Sequence, residues 1–118
     1  MIASVIAAVY VTAFSFFDWE PQEVRISCYC PTGNKTYTGA VPFEGGCACN
    51  KEHLGQVAML YDADMRFICF LDCNDIGGNH LLREGKAVDV FRYNLDRAYQ
   101  FIAENGDHGY VIWLNADG

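Results

Sequence analysis

Two carboxylates, Asp75 and Asp89, bracket the stretch of this chain whose residue types are best arranged for chemistry. Gly77-Gly78, His80 and a charged loop ending in Gly85-Lys86 lie between them. Asp89 stands inside an apolar run, Ala87-Val88-Asp89-Val90-Phe91. Strand alternation puts Val88 and Val90 on one face and Ala87, Asp89 and Phe91 on the other. An acid that shares a face with Phe91 is expected to be partly desolvated. Desolvation disfavours the charged form, so the acid keeps its proton closer to neutral pH, as a general acid must. The alternative is a strand-edge aspartate in open water, or one that caps a turn.

Other reactive residue types offer less. His80 sits in the loop between the acids, where it either lines a groove and hydrogen-bonds a sugar or is simply solvated. His53 and His108 carry no assigned role. No Ser-His-Asp or Cys-His-Asn order points to nucleophilic catalysis. Six cysteines, Cys28, Cys30, Cys47, Cys49, Cys69 and Cys73, are many for 118 residues. In a small exported domain they are expected as disulfides. The two Cys-x-Cys pairs suggest a double staple, Cys28 and Cys30 to Cys47 and Cys49. Cys69 and Cys73 either pair with each other or stay free. A four-thiolate zinc site on the two pairs is the rival, although Cys-x-Cys is tighter than the usual zinc spacing.

The elements that must position these residues read as strands and turns. Residues 23–30 alternate, with Val24, Ile26, Cys28 and Cys30 on one face. Pro31 to Lys35 is a loop, Thr36 to Thr38 a short β-prone piece ended by Gly39, and Pro42 to Gly46 another loop. Residues 55–61 and 65–71 form a hairpin around Asp62-Ala63-Asp64. Residues 94–105 have helical spacing, with Leu95, Ala98, Tyr99 and Ile102 on one face and Gly106 as the stop. Tyr110 to Leu114 is a last apolar strand. About six short strands and one helix predict a mainly β fold, a small β-barrel.

Size and charge exclude several functions. The chain makes one small domain. Fifteen acids against eight bases give a net charge of −7, which argues against nucleic acid and against docking on anionic surfaces by charge. A neutral glycan suits this balance. Met1 to Phe17 is nearly all apolar or small and reads as an export signal or membrane anchor, or else as a buried first element. With the polar linker around Pro21 it occupies residues 1–23, leaving 24–118 for the domain.

The order of these motifs resembles the three-aspartate domain of Gram-positive cell-wall proteins and of the membrane-bound lytic transglycosylase A family. Asp75-x-Gly77-Gly78 followed by the strand around Asp89 carries the resemblance, and Asp75 is preferred over Asp72 on that spacing. Thr36-Tyr37-Thr38-Gly39 is similar to the family's Thr-x-Ser-Gly turn, and Asn94 to Ala98 to its helix after the catalytic strand. Cys47-Ala48-Cys49-Asn50, before Leu54-Gly55, stands where the family has Ala-x-Asp, so Asn50 replaces the first aspartate. The loop between the two remaining acids is a few residues longer than the family's. The resemblance implies a double-psi β-barrel, secreted or attached to the cell envelope. It implies cleavage of peptidoglycan between N-acetylmuramic acid and N-acetylglucosamine by a single copy, with no cofactor or metal. Asp89 would be the acid and base, with Asp75 assisting. Thr38, Asn50, Gly77, Gly78 and His80 would line the substrate groove. A non-catalytic glycan-binding or wall-remodelling barrel is the alternative.

Overall fold

A computed structural model describes residues 20–114. The expected export signal or anchor at residues 1–17 lies outside them. Six strands, two helices and a 3-10 turn run in the order β1 (Gln22–Tyr29), β2 (Gly46–Cys49), the turn (Lys51–His53), β3 (Val57–Asp62), β4 (Phe67–Ile76), α1 (His80–Arg83), β5 (Ala87–Phe91), α2 (Leu95–Asn105) and β6 (His108–Leu114). The strands close into a barrel in the order β1-β5-β2-β4-β3-β6. β1 with β5 and β2 with β4 are parallel, and the other neighbours are antiparallel. The expected small β-barrel is therefore present, with six strands and one short helix besides the longer α2. Gln22 and Glu23, read as linker, begin β1.

Alternation explains most of the core. Val24 and Ile26 of β1, Ala58 and Leu60 of β3, Leu71 of β4, Val88 and Val90 of β5 and Val111 of β6 fill the barrel. α2 adds Phe101 to this core. Asn94 caps the helix by accepting the Arg97 N–H at 2.9 Å, and Gly106 ends it at φ 82°, a backbone region open to glycine at little cost.

Several expectations need correction. α2 buries Ala98 and Phe101, while Leu95 and Tyr99 are 62 % and 71 % exposed. Its inward stripe is turned from the expected one because the large Phe101 ring enters the core, with the Arg92 guanidinium over it at 5.1 Å. Thr36 to Thr38 is a turn, closed by Gly39 N–H to the Thr36 carbonyl at 2.9 Å. β4 runs five residues past Leu71, because parallel pairing with β2 satisfies its backbone there. The loop after Gly78 contains α1, capped by the Asn79 side chain on the Leu81 N–H at 2.8 Å.

The double cysteine staple does not form, because β5 lies between β1 and β2. The disulfide is Cys49–Cys73, with Cα atoms 6.1 Å apart, and Cys28, Cys30, Cys47 and Cys69 are free thiols. The Cys69–Cys73 pairing is excluded by the same bond. The four-thiolate zinc alternative is not assembled either. Cys49 is bonded elsewhere, and no cluster of three metal-ligating side chains exists among the described residues. Burial pushes the Cys28 thiol up to about 11 and the Cys47 thiol up to about 12, so both stay protonated and unreactive.

Glu44 ties the long loop after β1 to the helical side of the barrel. Its carboxylate accepts the Tyr93 N–H at 3.0 Å and Arg97 Nε at 2.6 Å, with a second bond from Arg97 Nη2. Arg92 Nη2 lies 3.5 Å away. The Arg97 bonds lead in lowering its pKa from 4.5 to about 2. A depressed folded-state pKa means stability that is full above 4.5 and lost as pH falls toward about 2. Glu44→Gln is therefore expected to lower the thermal midpoint by roughly 5 °C at pH 7. That gap should shrink below pH 4 in circular-dichroism melts across the acid range.

Candidate functional site

The barrel closure brings the two predicted acids into one lateral row. Ser27 of β1 pairs with Asp89 of β5, Asp89 with Ala48 of β2, and Ala48 with Asp75 of β4. Cys47 and Cys49 flank Ala48 and point into the barrel core, so the row lies on the outer face. Ala48 between them is buried and packs with Leu82 and Ala87 on this face. Their backbones are two strand spacings apart, about 10 Å.

A bulge sets this alignment. Cys47 pairs with Cys73, but the next residue, Ala48, pairs with Asp75 and skips Asn74. Without the extra residue, Asp75 would fall on the opposite face, because strand side chains alternate. Asn74 is buried, and both polar atoms of its amide lack partners. Its side chain lies against Gly46, where a Cβ would meet Asn74 Nδ2 at 2.8 Å.

Each acid has its own environment. Asp89 is half-buried and accepts Ser27 Oγ–H at 3.0 Å. Burial raises its pKa, the Ser27 bond opposes this, and the charge of Asp75 raises it further. Asp75 is held by backbone: its Oδ1 accepts the N–H groups of Tyr37 at 3.0 Å and Ile76 at 2.9 Å. Tyr29 Oη lies 3.5 Å from Asp75 Oδ2. Burial, then Asp75 and Asp89, push the Tyr29 hydroxyl up, so it stays a neutral donor. Its ring meets Phe91 edge-on at 5.3 Å, which seals the apolar side of the site.

The remaining candidates divide. Thr38 is exposed in the turn that holds Asp75. Its N–H reaches the Asn74 carbonyl at 3.2 Å, and its Oγ1 meets Thr36 Oγ1 at 3.1 Å, so its hydroxyl does not bond either acid. Asn50 follows β2 two residues after Ala48. Its Oδ1 is buried without a partner, and a Cβ on Gly85 would meet its Nδ2 at 3.2 Å. Gly77 packs against Leu82, whose terminal methyl a Cβ there would meet, and Leu82 lies with Ala48 and Ala87 in a second small cluster. Gly78 faces open space. His80 is exposed on α1, and no contact ties it to the acids. His53 stacks on Trp113 at 4.3 Å, and His108 pairs with Asp107 at 2.7 Å.

Ser27, Tyr29, the Tyr37 amide and the Asn74 bulge were not foreseen. The first two were hinted at by parity alone. If Val24, Ile26 and Cys28 point inward, Ser27 and Tyr29 point outward, but only the β1/β5 register shows which acid they meet. What fold and site together define is a closed six-stranded β-barrel with an aspartate pair across its outer face. No protein-family model, no curated protein and no solved structure matches the chain.

Proposed function

We propose that this barrel is a lytic transglycosylase-like enzyme that cleaves peptidoglycan between N-acetylmuramic acid and N-acetylglucosamine. One observation carries the reading: Asp89 is half-buried with a raised pKa, bonded by Ser27, and in lateral register with Asp75. Such an acid holds its proton to higher pH than a free aspartate does, which is the direction a general acid needs. Asp89 protonates the glycosidic oxygen as the bond to the anomeric carbon breaks. The Asp89 carboxylate then takes the proton of the muramic acid 6-hydroxyl. That oxygen attacks the anomeric carbon and closes a 1,6-anhydro ring. Proton and electron pairs balance without water, so the two-carboxylate spacing of ordinary glycosidases does not apply. Asp75, fixed by two amides, orients the sugar and stabilises positive charge at the anomeric centre.

The Cys49–Cys73 bridge supports an oxidising location, and no described helix is long and apolar enough to cross a membrane. We place the enzyme outside the cell or at its envelope, acting as a single copy on glycan strands, with residues 1–17 as leader or anchor. A second reading, a barrel that binds glycan without cutting it, is favoured by Asn50. That residue is an amide where the resemblance calls for a carboxylate, and amides do not ionise. The exposed ring of Tyr37 supports either reading as a stacking surface. The test is digestion of purified peptidoglycan by the oxidised chain, with mass spectrometry of the products. Muropeptides ending in 1,6-anhydromuramic acid establish the first reading. Retention on the glycan without products establishes the second.

A further inference from the structure

We infer that the groove between β1 and α2 is an outer subsite for a neutral sugar of the same glycan strand, with Tyr99 as its stacking platform. The inference rests on the reading of the aspartate row as a glycan site and extends it to a length of substrate. The groove has a volume of about 420 Å³. Ile26, Ala98 and Ile102 are among its apolar lining, with the exposed Leu95 and Tyr99 on its helical side and Ser27 on its β1 side. Ser27 belongs to both places: it lines the groove and donates to Asp89 at 3.0 Å. The groove therefore continues from the acid row and is not a separate patch.

The direction of the row makes the continuity meaningful. Asp75, Ala48, Asp89 and Ser27 sit on β4, β2, β5 and β1, and three strand spacings cover about 14 Å. At the Asp89 end of this row, Ser27 borders the groove. The opposite end of the row lies at the Tyr37 turn, through the amide that holds Asp75. The row is thus flanked by two exposed tyrosines, Tyr37 and Tyr99.

The lining chooses the occupant. A sugar presents an apolar C–H face and a rim of hydroxyls, which matches an aromatic surface beside polar groups. Arg25 and Asp107 both line this groove, one of each sign, and Asp107 already pairs with His108 at 2.7 Å. A wall with one charge of each sign does not select an ionic ligand.

The experiment titrates N-acetylglucosamine oligomers of two, four and six units into the full chain by calorimetry, in an Asp89→Asn background so that ligands persist. Affinity is expected to rise with length. Tyr99→Ala should lower the ratio of hexamer to dimer affinity by about tenfold, and Tyr99→Trp should restore it. Tyr99 is exposed, so the substitutions leave the core intact. The inference is overturned if no oligomer binds, if Tyr99→Ala weakens dimer and hexamer alike, or if a fatty acid displaces the hexamer. Digestion separates the two ideas. Anhydro products with a Tyr99-independent hexamer affinity sink the subsite and keep the enzyme. Tyr99-dependent length selectivity without products keeps the subsite and sinks the enzyme.

Discussion

Asp89→Asn is expected to cut the release of anhydromuropeptides by about 10²- to 10⁴-fold and to make the protein more stable at pH 8. The two effects have one cause. Burial, with Asp75 nearby, raises the Asp89 pKa in the folded state. The folded chain therefore holds this proton more tightly than the unfolded chain does. The resulting stability is full below the ordinary aspartate value and is lost as pH rises through the raised folded value. Above that raised value the wild-type chain carries a desolvated charge that asparagine lacks. At pH 3 both residues are neutral, and the advantage of the variant disappears. Asparagine still accepts from Ser27 but has no proton to transfer. For the wild type, turnover should fall as pH rises through the same raised value, because the acid form is consumed. Melting curves at pH 3 and pH 8, with product analysis, check both halves. Unimpaired turnover, or a variant less stable than wild type at pH 8, would remove Asp89 from the role of acid.

How much of this site was readable in advance follows from which interactions are local. The strand carrying Asp89 was legible at both ends, because Ala87 to Phe91 alternates and polar residues bound it. The bounds of α2 were legible from Asn94 and Gly106, which act on their own neighbours. Which face of α2 turns inward was not, since Ala98 and Phe101 win only because the barrel offers Phe101 a place. Local spacing does not show that β4 runs past Leu71, because the strand that carries it on to Ile76, β2, is remote in sequence and only four residues long. The same non-local pairing creates the Asn74 bulge, so the sequence showed two acids and not that they share a face. The cysteine staple failed for a related reason. Spacing within β1 and β2 was right for two strand faces, but neighbourhood is a property of topology, and β5 intervenes.

Removing the Cys49–Cys73 bridge should have the largest effect on stability. The bond closes a span of 24 residues. Chain-entropy arguments give about 3.5 kcal/mol for a loop of that length, against a total of about 5–15 kcal/mol for a domain of this kind. The double variant Cys49→Ala with Cys73→Ala should lower the urea midpoint accordingly. Cys47→Ala removes an equally buried sulfur that closes no loop, so it should cost only about 1 kcal/mol. Alkylation of the unfolded wild-type protein should label Cys28, Cys30, Cys47 and Cys69 and spare Cys49 and Cys73. Any other labelling pattern refutes the pairing. A double variant no weaker than Cys47→Ala refutes its energetic role. Position gives the bridge a second consequence. Cys49 follows Ala48, and Cys73 precedes Asp75 by two residues, so the bridge clamps β2 to β4 around the Asn74 bulge. That bulge puts Asp75 on the face of Asp89. Under reducing conditions that leave the barrel folded, turnover should therefore fall while Asp89 keeps its Ser27 partner on β1. Loss of activity should then precede loss of structure as the bridge opens, because the clamp aligns the acids before it is needed to hold the barrel closed.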